Sequence, residues 1–149
     1  MNSVLHTLAM TYQDVYPVFI TKDLSACKVF YSQWLHFQVA FESSFFILLV
    51  SEGDHPYSLG FMTEVHPSSP PSNPAMNAQA GVFLTLQVAN VQADYERLQA
   101  AGLEMYYHLH DEPRGQRRFG LVDPNGMYID VVEQTEPAAG FWEGYAAKD

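Results

Sequence analysis

Cysteine occurs once in this chain, at Cys27, so no disulfide can form within it. That leads to an expectation of a reducing compartment, the cytoplasm. Cys27 also falls on the apolar side of a predicted helix, where a thiol packs and stays inert. Basic residues are scarce too: 7 Lys and Arg stand against 17 Asp and Glu, a formal charge of −10. A surface of that sign disfavours phosphate backbones and anionic lipid, so neither nucleic acid nor membrane is expected as a partner. No apolar run approaches the roughly 18 residues of a membrane span, and no basic stretch leads into a long apolar one as in a secretory signal. The chain has no glycine-rich phosphate loop, no Gly-x-Ser-x-Gly elbow and no Cys-x-x-Cys pair, which sets aside three common chemistries.

What the chain does have is apolar and aromatic surface. At 48% hydrophobic and 14% aromatic residues it is a folded globule. Its 149 residues make one domain, or two half-size modules sharing a core.

The pattern along the chain favours two modules. Residues 1–15 show no period and read as an arm. Residues 16–21 read as a strand, after which Asp23 can cap a helix. Cys27, Phe30, Tyr31, Trp34 and Leu35 follow the i, i+3, i+4, i+7, i+8 spacing of one wide apolar face. Strands are predicted at 38–41, 45–51 and 58–62, with turns at 42–44 and 52–54. Residues 63–81, with Pro67, Pro70, Pro71 and Pro74, cannot hold a regular helix or an inner strand and read as a connector. The order then repeats. A strand at 82–88 precedes Asn90, which caps a helix with Val91, Tyr95 and Leu98 inward and Gly102 at its end. Three strands follow at 104–110, 117–122 and 128–133. Adding 67 to Asp23 gives Asn90, and adding 67 to Leu24 gives Val91, so the two helix starts superpose. The expected fold class is α+β: two tandem βαβββ modules, 16–62 and 82–134, forming a curved, cup-like mixed sheet with the helices outside. The tail, 135–149, carries Phe141, Trp142 and Tyr145, expected to dock on this chain or on a second copy.

Residues 112–133 hold the chemistry. Asp123-Pro124-Asn125-Gly126 is a turn in which Pro presets φ, Asp caps through its side chain and Gly relieves the last position. The apolar runs on either side make it a hairpin. Its second strand carries one carboxylate, Asp130, and its first opens with Arg117 and Arg118. Alternation lets only one of those two arginines share a face with Asp130. In a dry cup Asp130 could act as a base or as an acceptor for a ligand.

Three stretches resemble the vicinal-oxygen-chelate superfamily of glyoxalase I, bleomycin-resistance proteins and extradiol dioxygenases. They are Lys-Asp-Leu-Ser-Ala-Cys-Lys-Val-Phe-Tyr at 22–31, Leu-Gln-Ala-Ala-Gly at 98–102, and Gly-Leu-Val-Asp-Pro-Asn-Gly-Met-Tyr-Ile-Asp-Val-Val-Glu at 120–133. The resemblance spans about 16–133. It implies the duplicated βαβββ cup and, in metal-dependent members, four ligands from the first and last strands of each module, usually His, Gln or Glu. Carried over residue by residue, those positions are Tyr16, Phe83, Asp130 and a residue near Gly60, with one good donor among them. The resemblance also implies a glycine after the first helix. Leu35-His36-Phe37 stands there instead, so His36 must take a left-handed backbone at a cost of about 1 kcal/mol.

Two functions stay open at this point. The first is metal-independent binding of a small aromatic molecule in the cup, with no cofactor. Its ligand-binding residues are Tyr16, Phe83, Arg117, Arg118, Tyr128 and Asp130, and an arginine would meet a negative group on the ligand. Tyr106, Tyr107 and Trp142 are further candidates for the lining. The second is a lyase, isomerase or dioxygenase-type enzyme that uses Asp130 and a divalent metal on a non-standard set, His108, His110 and Asp130, with His66 or Glu112 nearby. His108 and His110, two apart on a strand, are expected on one face. By family analogy two chains build such sites together, so a homodimer is expected. A plain dimeric module with its cup filled by its own side chains is the third possibility.

Overall fold

The computed structural model describes residues 10–64 and 81–145. The connector prolines and His66 lie outside the described residues, as do the first nine residues of the arm. The first module is β1 (Val18–Thr21), α1 (Leu24–Gln33), β2 (Gln38–Glu42), β3 (Phe46–Val50) and β4 (Ser58–Thr63). The second is β5 (Leu84–Gln87), α2 (Val91–Ala100), β6 (Tyr107–Glu112), β7 (Gln116–Val122) and β8 (Tyr128–Gln134). A 3-10 helix, Phe141–Tyr145, closes the described chain.

Each module folds into its own four-stranded mixed sheet, β1-β4-β3-β2 and β5-β8-β7-β6. The first and last strands of each pair in parallel, joined by the helical crossover that parallel pairing needs. Two such sheets make up the expected curved architecture. Both helices start on the predicted caps: Asp23 Oδ1 accepts from Ala26 N at 2.9 Å, and Asn90 Oδ1 from Ala93 N at 3.1 Å. The first helix ends as predicted, with His36 at φ 61°.

The strands alternate. On the helix side of the first sheet Phe19, Ile47, Leu49 and Phe61 pack with Cys27, Phe30 and Tyr31 of α1; on that of the second, Phe119, Leu121, Ile129 and Val131 pack with Val91 and Leu98 of α2. These residues form one continuous core. The turn after β7 joins the modules: Tyr31 donates to the buried Asp123 Oδ2 at 2.9 Å, and Thr21 Oγ1 donates to Asn125 Oδ1 at 2.6 Å. Asp123 also closes its own turn, its Oδ1 accepting from Asn125 N at 2.8 Å and Met127 N at 2.9 Å.

Strand boundaries differ from expectation in three places that bear on the site, and the first is β5, which begins at Leu84 and leaves Phe83 just before the strand. β1 begins at Val18, because Pro17 has no N–H for the ladder, and this leaves Tyr16 outside the sheet and 45% exposed. β6 begins at Tyr107 and carries a bulge between Tyr107 and His110. The bulge inserts a residue and reverses the facing of every later side chain on the strand.

Candidate functional site

One row crosses the second sheet on the face away from α2. Tyr107 of β6 stands opposite Gly120 of β7, Gly120 opposite Asp130 of β8, and Asp130 opposite Thr85 of β5. Gly120 leaves a gap in that row, and the Tyr107 ring lies across it; a Cβ on Gly120 would overlap the ring. The ring therefore spans β7, and its hydroxyl donates to Asp130 Oδ1. Arg118 Nη1 donates to Asp130 Oδ2 at 3.1 Å, and the guanidinium carbon lies 5.0 Å from the Tyr107 ring centre. Burial and the bond to Asp130 push the Tyr107 phenol well above its ordinary range.

A second carboxylate holds Arg118 from the other side. Glu112 Oε1 accepts from Arg118 Nε at 3.3 Å and from Nη2 at 3.1 Å. The same oxygen lies 2.6 Å from His110 Nε2, while His110 Nδ1 lies 2.8 Å from the His108 carbonyl. Each ring nitrogen of His110 thus faces an acceptor, an arrangement satisfied only by the imidazolium. The His108 carbonyl, then Glu112, raise its pKa above the ordinary 6.5, and His110, then Arg118, hold the Glu112 carboxyl low. Asp130 is paired with Arg118, and Glu112 with Arg118, His110 and, at 3.7 Å, Arg114, so both carboxylates already have cationic partners.

Beside this polar cluster lies an open cavity of about 230 Å³ with Phe83, Tyr106, Tyr107, Arg118, Tyr128 and Asp130 in its lining. Tyr106 and Tyr128 stack at 4.6 Å between ring centres, and their hydroxyls meet at 3.2 Å. Those two rings and Phe83 remain half exposed. The cavity therefore has aromatic walls and a hydrogen-bonding end.

The predicted residues divide. Asp130, Arg118, Tyr128 and Phe83 come together here, and Arg118 is the one arginine that shares the Asp130 face. Arg117 points to the helix side, where Nε donates to Asp111 Oδ1 at 2.7 Å and Nη1 to Gln92 Oε1 of α2 at 3.4 Å. Strand alternation thus puts it on the face opposite the cup, outside the cavity lining. Tyr16 belongs to the other module, before β1, and does not line this cavity. Nor does Arg118 wait for an anion, since two carboxylates already occupy it. The two histidines do not share a face either. The β6 bulge sends His108 to Tyr95 of α2, at 2.8 Å, and His110 to the open side. His108, His110 and Asp130 therefore cannot converge on one ion. Tyr107 stands out in the sequence only as one aromatic among several. The signal that marks it is Gly120, a glycine inside a strand, which flags close approach by a neighbour.

The sequence profile of the Glyoxalase/Bleomycin resistance protein/Dioxygenase superfamily matches residues 6–131. The chain belongs to this superfamily. No curated protein matches it at a significant level. Solved structures share the superfamily fold at low identity. A glyoxalase/bleomycin resistance protein/dioxygenase from Nocardioides is 19% identical with a TM-score of 0.69, over 90% of this chain and 91% of that one. A superfamily member from Sphaerobacter thermophilus is 20% identical at 0.67, over 85% and 100%. A lactoylglutathione lyase from Agrobacterium tumefaciens is 15% identical at 0.64, over 83% and 95%.

Metal-dependent members of the superfamily draw their ligands from the first and last strands of each module. Here those strands pair Val18 with Gly60 and Thr85 with Asp130. The four supply one hydroxyl and one carboxylate, and Tyr107 and Arg118 already occupy both oxygens of that carboxylate. At Gly60 the Phe46 ring fills the space a ligand side chain would need, 3.0 Å from where a Cβ would lie. The donor set does not fit a divalent metal, which needs several N or O ligands converging on one point. Among the described residues no group of three or more His, Cys, Asp or Glu is placed to hold one.

Proposed function

We propose that this superfamily member binds a small, flat, uncharged aromatic molecule in the second-module cup, without a metal and without chemical turnover. One observation carries the reading: the aromatic-walled cavity ends on a hydrogen-bonding cluster, Asp130–Tyr107–Arg118, whose carboxylate and guanidinium are already paired with each other. Aromatic walls favour a flat ring. Charged groups already paired with one another offer hydrogen bonds and no unpartnered charge, so a neutral ligand loses less on desolvation than an ion would.

The same reading includes a homodimer. Val18 and Phe41 on the first sheet, and Phe83, Tyr106 and Tyr128 on the second, leave apolar surface exposed on faces that no helix covers. The buried, unpaired Cys27 suits the cytoplasm, and no helix among the described residues is long and apolar enough to cross a membrane.

The test uses quinoline and indole as uncharged fused-ring probes, read by calorimetry. Saturable binding to wild type is expected. Stacking on one aromatic side chain is worth about 1–3 kcal/mol, so Tyr128→Ala should weaken binding by about fivefold to about 150-fold. Binding that Tyr128→Ala leaves unchanged would place the ligand elsewhere and overturn the reading.

A further inference from the structure

The Tyr107 side chain is held as a bound ligand would be held. Its ring rests over Gly120, where any side chain would exclude it. Arg118 lies against the ring at 5.0 Å from its centre, and the Tyr106 and His110 rings stand edge-on to it at 5.9 and 5.4 Å. Its hydroxyl ends on Asp130 Oδ1. These groups are fixed without help from Tyr107. Arg118 orients the other oxygen of Asp130, Glu112 anchors Arg118, and His110 and Arg114 flank Glu112 at 2.6 and 3.7 Å. Tyr107 itself is the first residue of β6, an edge strand, and it precedes the bulge. A side chain at the start of an irregular edge strand can turn out without breaking the sheet.

The first module supplies an internal comparison. There Gly60 of β4 is the counterpart of Asp130, paired with Val18 as Asp130 is with Thr85, and the Phe46 ring of β3 lies over it. That plug is wholly apolar and has no acceptor to end on. The second module has a carboxylate at that position, and its plug ends on it.

We infer that Tyr107 is an internal stand-in for the ligand, and that the site recognises a phenol-type ring which displaces the Tyr107 side chain from Gly120 and donates its own hydroxyl to Asp130. The inference rests on the binding reading above and narrows its ligand class to phenols. Any further ring of the ligand lies in the adjoining cavity among Phe83, Tyr106 and Tyr128. No covalent step is involved. One phenol hydroxyl replaces another on the same carboxylate oxygen.

p-Cresol, the tyrosine side chain as a free molecule, is the direct probe, with toluene as its match lacking the hydroxyl. A hydrogen bond to a charged acceptor is worth tenfold or more in affinity by rough measure. In calorimetric titrations Tyr107→Ala is expected to bind p-cresol at least about tenfold tighter than wild type. On that variant toluene should bind at least about tenfold weaker than p-cresol, and adding Asp130→Asn should remove most of the difference. Equal p-cresol affinity in wild type and Tyr107→Ala would overturn the inference, as would equal affinity for p-cresol and toluene. If Tyr107→Ala does not fold, Tyr107→Phe keeps the ring and frees Asp130. Tighter p-cresol binding than wild type is then the supporting result, and unchanged binding the overturning one. Quinoline binding to wild type reports on the broader reading alone. Quinoline bound with no p-cresol gain overturns the inference and leaves that reading standing. A p-cresol gain with no quinoline binding supports the inference and overturns the fused-ring reading.

Discussion

His110 has an acceptor at each ring nitrogen, the His108 carbonyl and Glu112, and so keeps its proton more tightly when folded than when unfolded. The groups facing it are Glu112, Arg118 and the Tyr107 ring. Of these, Arg118 opposes the shift and the two acceptors outweigh it. Its contribution to stability is present in full below the ordinary pKa of 6.5 and is lost as pH rises through the raised folded value. Titration of the His110 ring by NMR should give a pKa above 6.5, and Glu112→Gln should bring it down. A His110 pKa indifferent to Glu112→Gln would mean that the short contact does not hold the proton. At this scale the sequence is informative about Asp130 and Arg118, because alternation alone assigns one of two adjacent arginines to the Asp130 face. It misleads on His108 and His110. A bulge leaves no mark in residue spacing, and it turns two histidines that look co-facial onto opposite sides.

Among the elements, the hairpin β7–turn–β8 is the most legible, since Asp-Pro-Asn-Gly names its own turn chemistry. What the tail does is not. It returns to the turn between β6 and β7, where Thr135 N donates to Gly115 O at 2.8 Å, Ala138 N to Pro113 O at 2.8 Å and Trp142 Nε1 to Arg114 O at 3.0 Å. These are backbone acceptors, which side-chain patterns cannot reveal. Gly115 makes the return possible. Its φ is +104°, and a Cβ there would lie 2.8 Å from Thr135 O and 3.0 Å from Pro137 N. Strain of this kind costs about 1–3 kcal/mol. Gly115→Ala should lower stability by about that much in urea unfolding and shift Trp142 emission to the red as the indole leaves Arg114. Unchanged stability and emission would show that the tail is not anchored at this turn.

For the whole molecule, the duplication is readable because both helices start and end 67 residues apart: Leu24 plus 67 is Val91, and Gln33 plus 67 is Ala100. By the last strands the offset has grown, since 130 less 60 is 70. This is why the first-module counterpart of Asp130 is hard to place from sequence. The contacts that join the halves, Tyr31 to Asp123 and Thr21 to Asn125, span 92 and 104 residues and have no local signature. The duplicated fold ends with two unlike cups, one plugged by Phe46 and one built around a carboxylate. Among the described residues neither carries a converging set of metal donors. Both cups thus bear on the proposal of binding without a metal. Its most direct test is a calorimetric titration of quinoline into protein stripped with EDTA, repeated after adding Zn, Ni, Mn or Fe(II). The same saturable binding is expected in every case. Binding or turnover that appears only with stoichiometric metal would contradict it.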